Sequence, residues 1–408
     1  MSASKKFLLK STVFVSTLFF AVTLPSPEAF SAGIKLIYRY QQPERHLPDV
    51  LNCRSYIYTD GTTAYMLLDS DTVPVIVMDI SNPRIIKKIS DYFSENDTIW
   101  KSMPDAFKGS GIRQIRSMGI GDFGEKRLAF ITTSRSIQML DCTDPHNMFN
   151  MGTNPKYNGP DWSGPTNVKV KSPYIFITNS SGFRIFKYSK SAQLKGSAPY
   201  ELVADAKPGY SSAYSLDFEF SKDGRYIYLA GFFGLDAYDI AYINNPVHVF
   251  RYDKINFPYK AGNKGICVKV DKNLLFLGTY RDLRIFDITN PAAPKPLKDD
   301  NDKDVIYPMS GPVLDIALYG KYVFLYYGPH DRASDDTRGE MGLEIADISD
   351  PRSPKVVDSF SLGSDKRFPD DVKQKMALAP ERGIAILGAD TFYVLDVKDY
   401  INEKNQSN

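Results

Sequence analysis

The chain has 408 residues, with 50 lysines and arginines against 48 aspartates and glutamates, so its formal net charge is only +2. Because binding to a polyanion depends on clustered basic residues, this balance argues against a nucleic acid as partner. The three cysteines, Cys53, Cys142 and Cys267, are too few for a disulfide framework, and we expect small buried apolar side chains rather than reactive thiols.

The first 31 residues have the pattern of a secretory signal peptide. Three lysines lie between Lys5 and Lys10, an apolar run covers Ser11–Leu24, and Ala29-Phe30-Ser31 places small residues where a signal peptidase reads them. This run is short against the ~20 residues of a membrane-spanning helix, so an anchor is the weaker alternative. We expect cleavage near Ser31, export to the periplasm or the medium, and no membrane span in residues 32–408. That mature chain holds 47 basic and 47 acidic side chains.

One motif recurs along the mature chain: a short apolar run, an aspartate, an apolar residue, a polar pair and a proline. Its copies are Val75–Pro83, Ile137–Pro145, Leu235–Pro246 (with a late proline), Leu283–Pro291, Leu343–Pro351 and Phe392–Val397 (without the proline). Their aspartates are 62, 98, 48, 60 and 49 residues apart. Since 98 is twice 49, a degenerate copy is expected near residue 190, where Gly182–Ser189 carries Tyr188 in place of the aspartate. The mature chain therefore contains seven repeats.

Each repeat predicts a strand followed by a tight reversal. The runs are apolar on both faces of a strand, which is typical of strands covered on both sides. The aspartate that ends a run accepts a backbone N–H in an Asx-turn, and the proline keeps its predecessor extended. Groups of strands that repeat every ~50 residues, and that cannot bury both faces alone, favour radial stacking. The sequence therefore predicts an all-β fold, a seven-bladed β-propeller of four-stranded antiparallel blades, as one domain over residues 32–408.

The strands are lettered A, the innermost, to D, the outermost. The predicted strands of blades 5 and 6 are Ile266–Val270, Leu274–Thr279, Leu283–Ile288, Lys295–Lys298, Val313–Leu318, Tyr322–Tyr327, Leu343–Ile348 and Lys355–Phe360. The last blade has predicted strands at Gln374–Leu378, Ile384–Leu387 and Phe392–Val397, but lacks an outer strand. Ile34–Tyr40 is a spare strand at the other end of the mature chain. We therefore expect the N-terminal strand to complete the last blade and close the ring.

These repeats resemble the LVIVD-repeat family of bacterial and archaeal β-propellers. The resemblance rests on the strand motif above, in five good copies, one partial copy at Phe392–Val397 and one degenerate copy at Phe183–Tyr188. It covers essentially the whole mature chain. The resemblance implies the propeller architecture and an exported location, and it implies little about activity.

Long segments between the predicted strands suggest where recognition takes place. They are Phe93–Gly111, Asn154–Pro165, Lys254–Gly262, Asp299–Pro312, Gly328–Met341 and Ser361–Asp371. All of them join B to C or D to A strands and therefore belong to one face of the propeller. The aromatic and histidine residues in them are Trp100, Tyr157, Trp162, Phe257, Tyr259, Tyr307, His330 and Phe368. Exposed aromatic residues favour recognition, and the alternative is that they only cap the blades.

Polar residues at the start of the A strands are candidates for the mouth of the central channel. They are Arg54, Arg113, Asn167, Asp315 and Asp371, with Asp217 expected further along its strand. For each one alone, a structurally paired side chain is the alternative to a ligand contact.

The sequence predicts no metal and no cofactor. The four histidines are scattered, and although Asp300–Asp304 resembles the start of a calcium loop, Val305 stands in place of its glycine. We therefore expect a binding or scaffolding propeller whose partner is another protein or an extracellular or periplasmic ligand. The alternative is a periplasmic enzyme, or a subunit of an oxidoreductase complex, with its site at the channel mouth.

Overall fold

Seven antiparallel sheets make up the computed structural model of the chain. The structure describes residues 33–40, 55–68, 75–92, 115–133, 137–154, 165–179, 182–190, 200–206, 215–231, 234–253, 265–328, 338–367, 375–388 and 391–401. The predicted signal peptide, residues 1–31, lies outside this part of the chain.

Each blade has four strands that follow one another in the sequence, with two exceptions: blade 5 has a fifth, short strand, and the last blade takes its fourth strand from the N-terminus. Blades 1 and 2 consist of β2 (Ser55–Thr59), β3 (Thr63–Leu68), β4 (Val75–Asp79), β5 (Lys87–Tyr92), β6 (Ile115–Phe123), β7 (Lys126–Thr133), β8 (Ile137–Asp141) and β9 (Phe149–Asn154). Blades 3 and 4 consist of β10 (Pro165–Lys171), β11 (Tyr174–Asn179), β12 (Gly182–Tyr188), β13 (Tyr200–Ala206), β14 (Ser215–Phe220), β15 (Tyr226–Gly231), β16 (Gly234–Asp239) and β17 (Val247–Tyr252).

Blade 5 has a fifth, short strand. Blades 5 and 6 consist of β18 (Gly265–Asp271), β19 (Leu274–Thr279), β20 (Asp282–Asp287), β21 (Lys295–Pro296), β22 (Ile306–Pro308), β23 (Val313–Tyr319), β24 (Tyr322–Tyr327), β25 (Arg338–Asp347) and β26 (Lys355–Arg367). Blade 7 consists of β27 (Met376–Ala379), β28 (Ile384–Gly388), β29 (Phe392–Asp396) and β1 (Lys35–Arg39). A 3-10 turn, Pro380–Arg382, and a short helix α1, Lys398–Ile401, complete this blade. No helix in the described part of the chain is long and apolar enough to cross a membrane.

The core lies between the blades and runs around a closed ring. Seven clusters of buried apolar side chains occupy the seven junctions between neighbouring blades. At the junction of the last blade with the first, Ile386 and Phe392 pack with Met66 and Met78. A strand such as β24, buried along its whole length, contributes side chains to the clusters on both of its faces. This arrangement explains why the sequence of these strands is apolar at every position instead of every second one.

The aspartate of the repeat forms the predicted Asx-turn at the end of the C strand. Its carboxylate accepts the backbone N–H two residues later at Asp79, Asp141, Asp239, Asp287, Asp347 and Asp396, over 2.7–3.1 Å. A second Asx side chain, at Asn82, Asp144, Asn290 or Asp350, closes the same turn three residues later. In blade 4 the equivalent position carries Tyr242, whose side chain is 76% exposed.

The N-terminal strand completes blade 7, as predicted. β1 pairs antiparallel with β29, and the backbone N–H of Tyr40 donates to Phe392 O over 2.9 Å. Asp358 in blade 6 adds a second attachment, because it accepts the N–H of Ile34 (2.9 Å) and the hydroxyl of Tyr400 (2.5 Å). Both ends of the described chain are therefore bound to the same carboxylate.

Three segments predicted as long loops carry regular structure. Within 299–312, β22 pairs with Asp282–Arg284 of β20, and Lys298 bridges to Asp304. The reason is that β21 has only two residues and ends at a proline, which leaves half of β20 without an outer neighbour. In blade 6, β25 and β26 extend past β24 as a two-stranded ribbon into segments 328–341 and 361–371.

Candidate functional site

Most of the predicted recognition residues lie outside the described part of the chain. These are Trp100, Tyr157, Trp162, Phe257, Tyr259, His330 and Phe368. Tyr307 is described, and it is buried instead of exposed, with 8% of its surface accessible. Its ring packs between blades 5 and 6, and its hydroxyl donates to Glu344 Oε1 over 2.6 Å. Burial and this hydrogen bond raise the pKa of Tyr307. The short strand β22, which the sequence did not predict, places Tyr307 inside the core.

Some of the predicted channel residues also lie outside the described part of the chain, and others lie inside it. Arg54, Arg113 and Asp371 lie outside the described residues, whereas Asn167 and Asp315 are the third residues of the A strands of blades 3 and 6. From the sequence we expected Asp217 further along its strand. In the structure it lies at the position equivalent to Asn167. A register irregularity precedes both residues and shifts each strand by one place.

Equivalent A-strand residues of consecutive blades form a set that we call the channel ring. Its members are Ser117, Asn167, Asp217, Cys267, Asp315 and Lys375. Several side chains of this set reach the next blade: Ser117 donates to Asn167 Oδ1 (2.7 Å), and Asn167 Nδ2 donates to Asp217 Oδ1 (2.6 Å). Asp217 and Asp315 also accept backbone N–H groups from the blades that follow them. The channel ring therefore joins neighbouring A strands through polar contacts.

Lys375 crosses the channel to compensate the two buried carboxylates. Its Nζ lies 3.3 Å from Asp217 Oδ2 and 3.4 Å from Asp315 Oδ1, although these residues belong to blades 7, 4 and 6. Burial alone would raise the pKa of Asp217, but Lys375, Lys169 and Lys269 outweigh it and hold that pKa at about 2. Asp217 is therefore ionised and paired with Lys375 at neutral pH.

Cys267 occupies the same level of the channel without a charge. Its thiol is buried and free, and Sγ donates to Val313 O over 3.3 Å. Burial raises the pKa of Cys267 well above its usual value, so the thiolate is disfavoured. Cys142 is also buried and free, as the sequence suggested, whereas Cys53 lies outside the described residues.

A second level of charged side chains lies closer to the A–B turns. Lys169 Nζ lies 2.9 Å from Glu219 Oε2, and Lys269 Nζ lies 3.5 Å from the same oxygen. Burial would raise the pKa of Glu219, but these two ammonium groups lower it. Burial would lower the pKa of Lys269, but Glu219, Asp315 and Asp217 raise it to about 12.

Sequence reasoning missed most of these channel residues, although a signal for them exists. Ser117, Asn167, Asp217 and Cys267 are spaced 50 residues apart, which is the length of one repeat. Lys375 was not predicted as a channel residue, because it lies directly before its strand. It also differs from the other residues of the channel ring in being a cation.

The described residues do not support the metal site considered from the sequence. Asp299 turns the hairpin of 299–304 by accepting the N–H groups of Asn301 and Lys303, and Lys298 pairs with Asp304 over 2.7 Å. Within the described ranges, no three His, Cys, Asp or Glu residues are grouped so that they hold a metal ion.

No family model matches the chain, and no curated protein matches it in sequence. Among solved structures, the chain is similar to the β-propeller domain of Cps50 (Swd1) from Myceliophteria thermophila. The two are 10% identical, the match covers 85% of this chain and 99% of that domain, and the TM-score is 0.51. A hydrazine synthase structure from Kuenenia stuttgartiensis matches at 12% identity, over 72% of this chain and 80% of that one, with a TM-score of 0.49. The seven sheets and the similarity to the Cps50 (Swd1) domain show that the chain is a seven-bladed β-propeller, whereas its place in the LVIVD-repeat family stays a prediction from the motif.

Proposed function

We propose that this propeller is an exported binding or scaffolding protein that recognises its partner through the face formed by its D–A and B–C connections. We call this the long-connection face, and the opposite one, formed by the A–B and C–D turns, the short-turn face. The observation that carries the proposal is the difference between these two faces.

The short-turn face consists largely of turns whose polar groups are satisfied internally. Five C–D connections have the same length and hold their own Asx hydrogen bonds. Blade 3 is the exception, since the degenerate repeat replaces this turn with residues 189–199. On the long-connection face, the connections between strands are longer, at residues 41–54, 93–114, 155–164, 254–264, 328–337 and 368–374. Long connections on a rigid scaffold are where binding residues concentrate.

The composition of these connections favours apolar recognition over electrostatic attraction. Both tryptophans of the chain, Trp100 and Trp162, belong to connections 93–114 and 155–164. The mature chain carries equal numbers of basic and acidic side chains, so it offers no net charge to steer a charged partner. Aromatic side chains dominate the binding energy of many interfaces.

Changing both Trp100 and Trp162 to alanine should abolish binding of a partner captured by the wild-type protein. Since loop residues contribute little to blade packing, the melting temperature should stay nearly constant. Raising the salt concentration should weaken wild-type binding only slightly, because screening acts on charges and not on apolar contacts. Surface plasmon resonance with the purified partner measures both effects.

Tyr242→Ala is the matched control, because it removes an exposed aromatic residue from the short-turn face. We expect it to bind like the wild type. A partner that still binds the double variant, yet is lost with Tyr242→Ala, would place recognition on the short-turn face.

Export is the second part of the proposal and rests on residues 1–31. Protein recovered from the periplasm or medium of the producing cells should begin near residue 32, because Ala29-Phe30-Ser31 precedes the expected cleavage. Intact-mass spectrometry measures this directly. A full-length mass in the cytoplasmic fraction alone would contradict export.

A further inference from the structure

The lysine pair, Lys169 and Lys269, shares one carboxylate inside the channel. Lys169 has a short contact with Glu219 Oε2, whereas Lys269 reaches the same oxygen only at 3.5 Å. The other oxygen of Glu219 accepts the backbone N–H of Phe220. An ammonium group has three donors. Lys169 also lies 3.8 Å from Asp217 Oδ1, whereas among the described residues Glu219 is the ion-pair partner of Lys269, so most donors of Lys269 remain available.

Solvent reaches the lysine pair from the short-turn face. The A strands run from the long-connection face towards the A–B turns, and side-chain exposure rises in that direction. It is 2% for Asp217 and 21% for Glu219, two residues later, and it reaches 32% for Lys269. The buried Asp217 and Asp315 and the part-buried Lys375 therefore form a floor, and the lysine pair lies above it on the side of the A–B turns.

The positions equivalent to the lysine pair are uncharged in the other described blades. They carry Ala317 and Ala377 in blades 6 and 7, Gly119 in blade 2 and Tyr58 in blade 1. A side chain at Gly119 would meet Val168 O, so blade 3 covers this position. The charges at this level of the channel are therefore confined to blades 3, 4 and 5, opposite the small residues Ala317 and Ala377.

We propose that this part of the channel binds a small organic anion, with its oxyanion group on the lysine pair and its apolar part towards Ala317 and Ala377. Ammonium groups form strong, charge-assisted hydrogen bonds with carboxylate and phosphate oxygens. Lys269 stays protonated because nearby carboxylates raise its pKa to about 12. This site opens on the short-turn face, so it is separate from the recognition face proposed above.

Saturation-transfer NMR with butyrate tests the proposal on the purified mature protein. We expect a saturable signal from the butyrate methyl group, and none from butylamine, which has the same apolar part and the opposite charge. Inorganic phosphate serves as a competitor: displacement of butyrate shows that the site accepts a phosphate head group, and no displacement shows selectivity for carboxylate. Both results are consistent with an oxyanion site.

Two variants change the site in opposite directions. Lys269→Met should weaken butyrate binding at least tenfold, whereas Glu219→Gln should strengthen it severalfold, because the internal carboxylate no longer competes for the lysine pair. Lys222→Met is the matched control, since Lys222 is an exposed lysine in an A–B turn of the same face. It should change the affinity less than twofold.

The proposal is overturned if the wild type shows no saturable butyrate or phosphate binding. It is also overturned if Lys269→Met leaves the affinity within twofold of the wild type. Should Lys269→Met fail to fold, Glu219→Gln decides alone, and unchanged or weaker binding by that variant contradicts the proposal.

Discussion

Replacing Lys375 with methionine should lower the free energy of unfolding by about 3–5 kcal/mol, the range seen when one partner of a buried ion pair is removed. Methionine keeps most of the apolar stem and removes the ammonium group that lies within 3.4 Å of both Asp217 and Asp315. The two carboxylates are almost completely buried and lose their shared cation. The free energy of unfolding in urea measures the effect.

The pH dependence of this variant distinguishes a lost ion pair from lost packing. The pKa of Asp217 is about 2 in the folded protein, below the ~3.9 of an unfolded aspartate. A lowered folded-state pKa stabilises the protein above pH ~4, and this contribution, about 2.5 kcal/mol, disappears as the pH falls towards ~2. Without Lys375 the pKa of Asp217 rises, so the stability of the variant should depend less on pH between about 4 and 2.

Lys398→Met is the matched control for this experiment. Lys398 is an exposed lysine of the same blade, 3.5 Å from Asp396, and removing a surface ion pair costs about 0–1 kcal/mol. If Lys375→Met unfolds within about 1 kcal/mol of the wild type, or loses stability by the same amount at pH 2 and pH 7, Lys375 does not hold the two carboxylates.

The two faces and the channel have separate roles in this account. The channel ring links A strands across the axis, whereas recognition on the long-connection face and anion binding at the lysine pair are proposals. Each role is tested by different residues and different readouts, so the failure of one leaves the others measurable. Both binding proposals depend on closure of the propeller, because an opened propeller would separate the blades that build both sites.

Local sequence was enough to predict the blades, because each blade is built from contacts that are close along the chain. The predicted strands Leu274–Thr279 and Tyr322–Tyr327 match β19 and β24 residue for residue. The Asx-turns appear at the predicted aspartates, since an Asx-turn needs only a side chain and a backbone N–H two residues away. No local pattern in the sequence marks β21 as short. The sequence therefore failed to predict β22, which pairs with the rest of β20, and the burial of Tyr307.

The channel was harder to predict, because its pairs depend on ring closure. Asn167 and Asp315 stood out as polar residues at the start of apolar strands. That Lys375 meets Asp217, 158 residues earlier, follows only from bringing blade 7 across the axis from blade 4. No local pattern encodes such a contact, although the 50-residue spacing from Ser117 to Cys267 indicates which positions share one level.

Closure of the ring by the N-terminal strand is the central claim, since it places every blade beside two neighbours. Removing residues 34–40 would expose the outer edge of β29 and the apolar residues that β1 and Tyr40 cover. It would also remove the N–H that Ile34 donates to Asp358. The loss in stability should exceed the 0.5–3 kcal/mol of a typical point change.

The melting temperature of a chain that begins at residue 41, compared with one that begins at residue 32, tests this claim most directly. We expect the shorter chain to melt at least ten degrees lower, because ~1 kcal/mol already corresponds to a few degrees in a protein of this size. Leu36→Ser is the control, since Leu36 is 45% exposed, and it should melt within about two degrees of the wild type. A shorter chain that melts within two degrees of the longer one would contradict closure by β1.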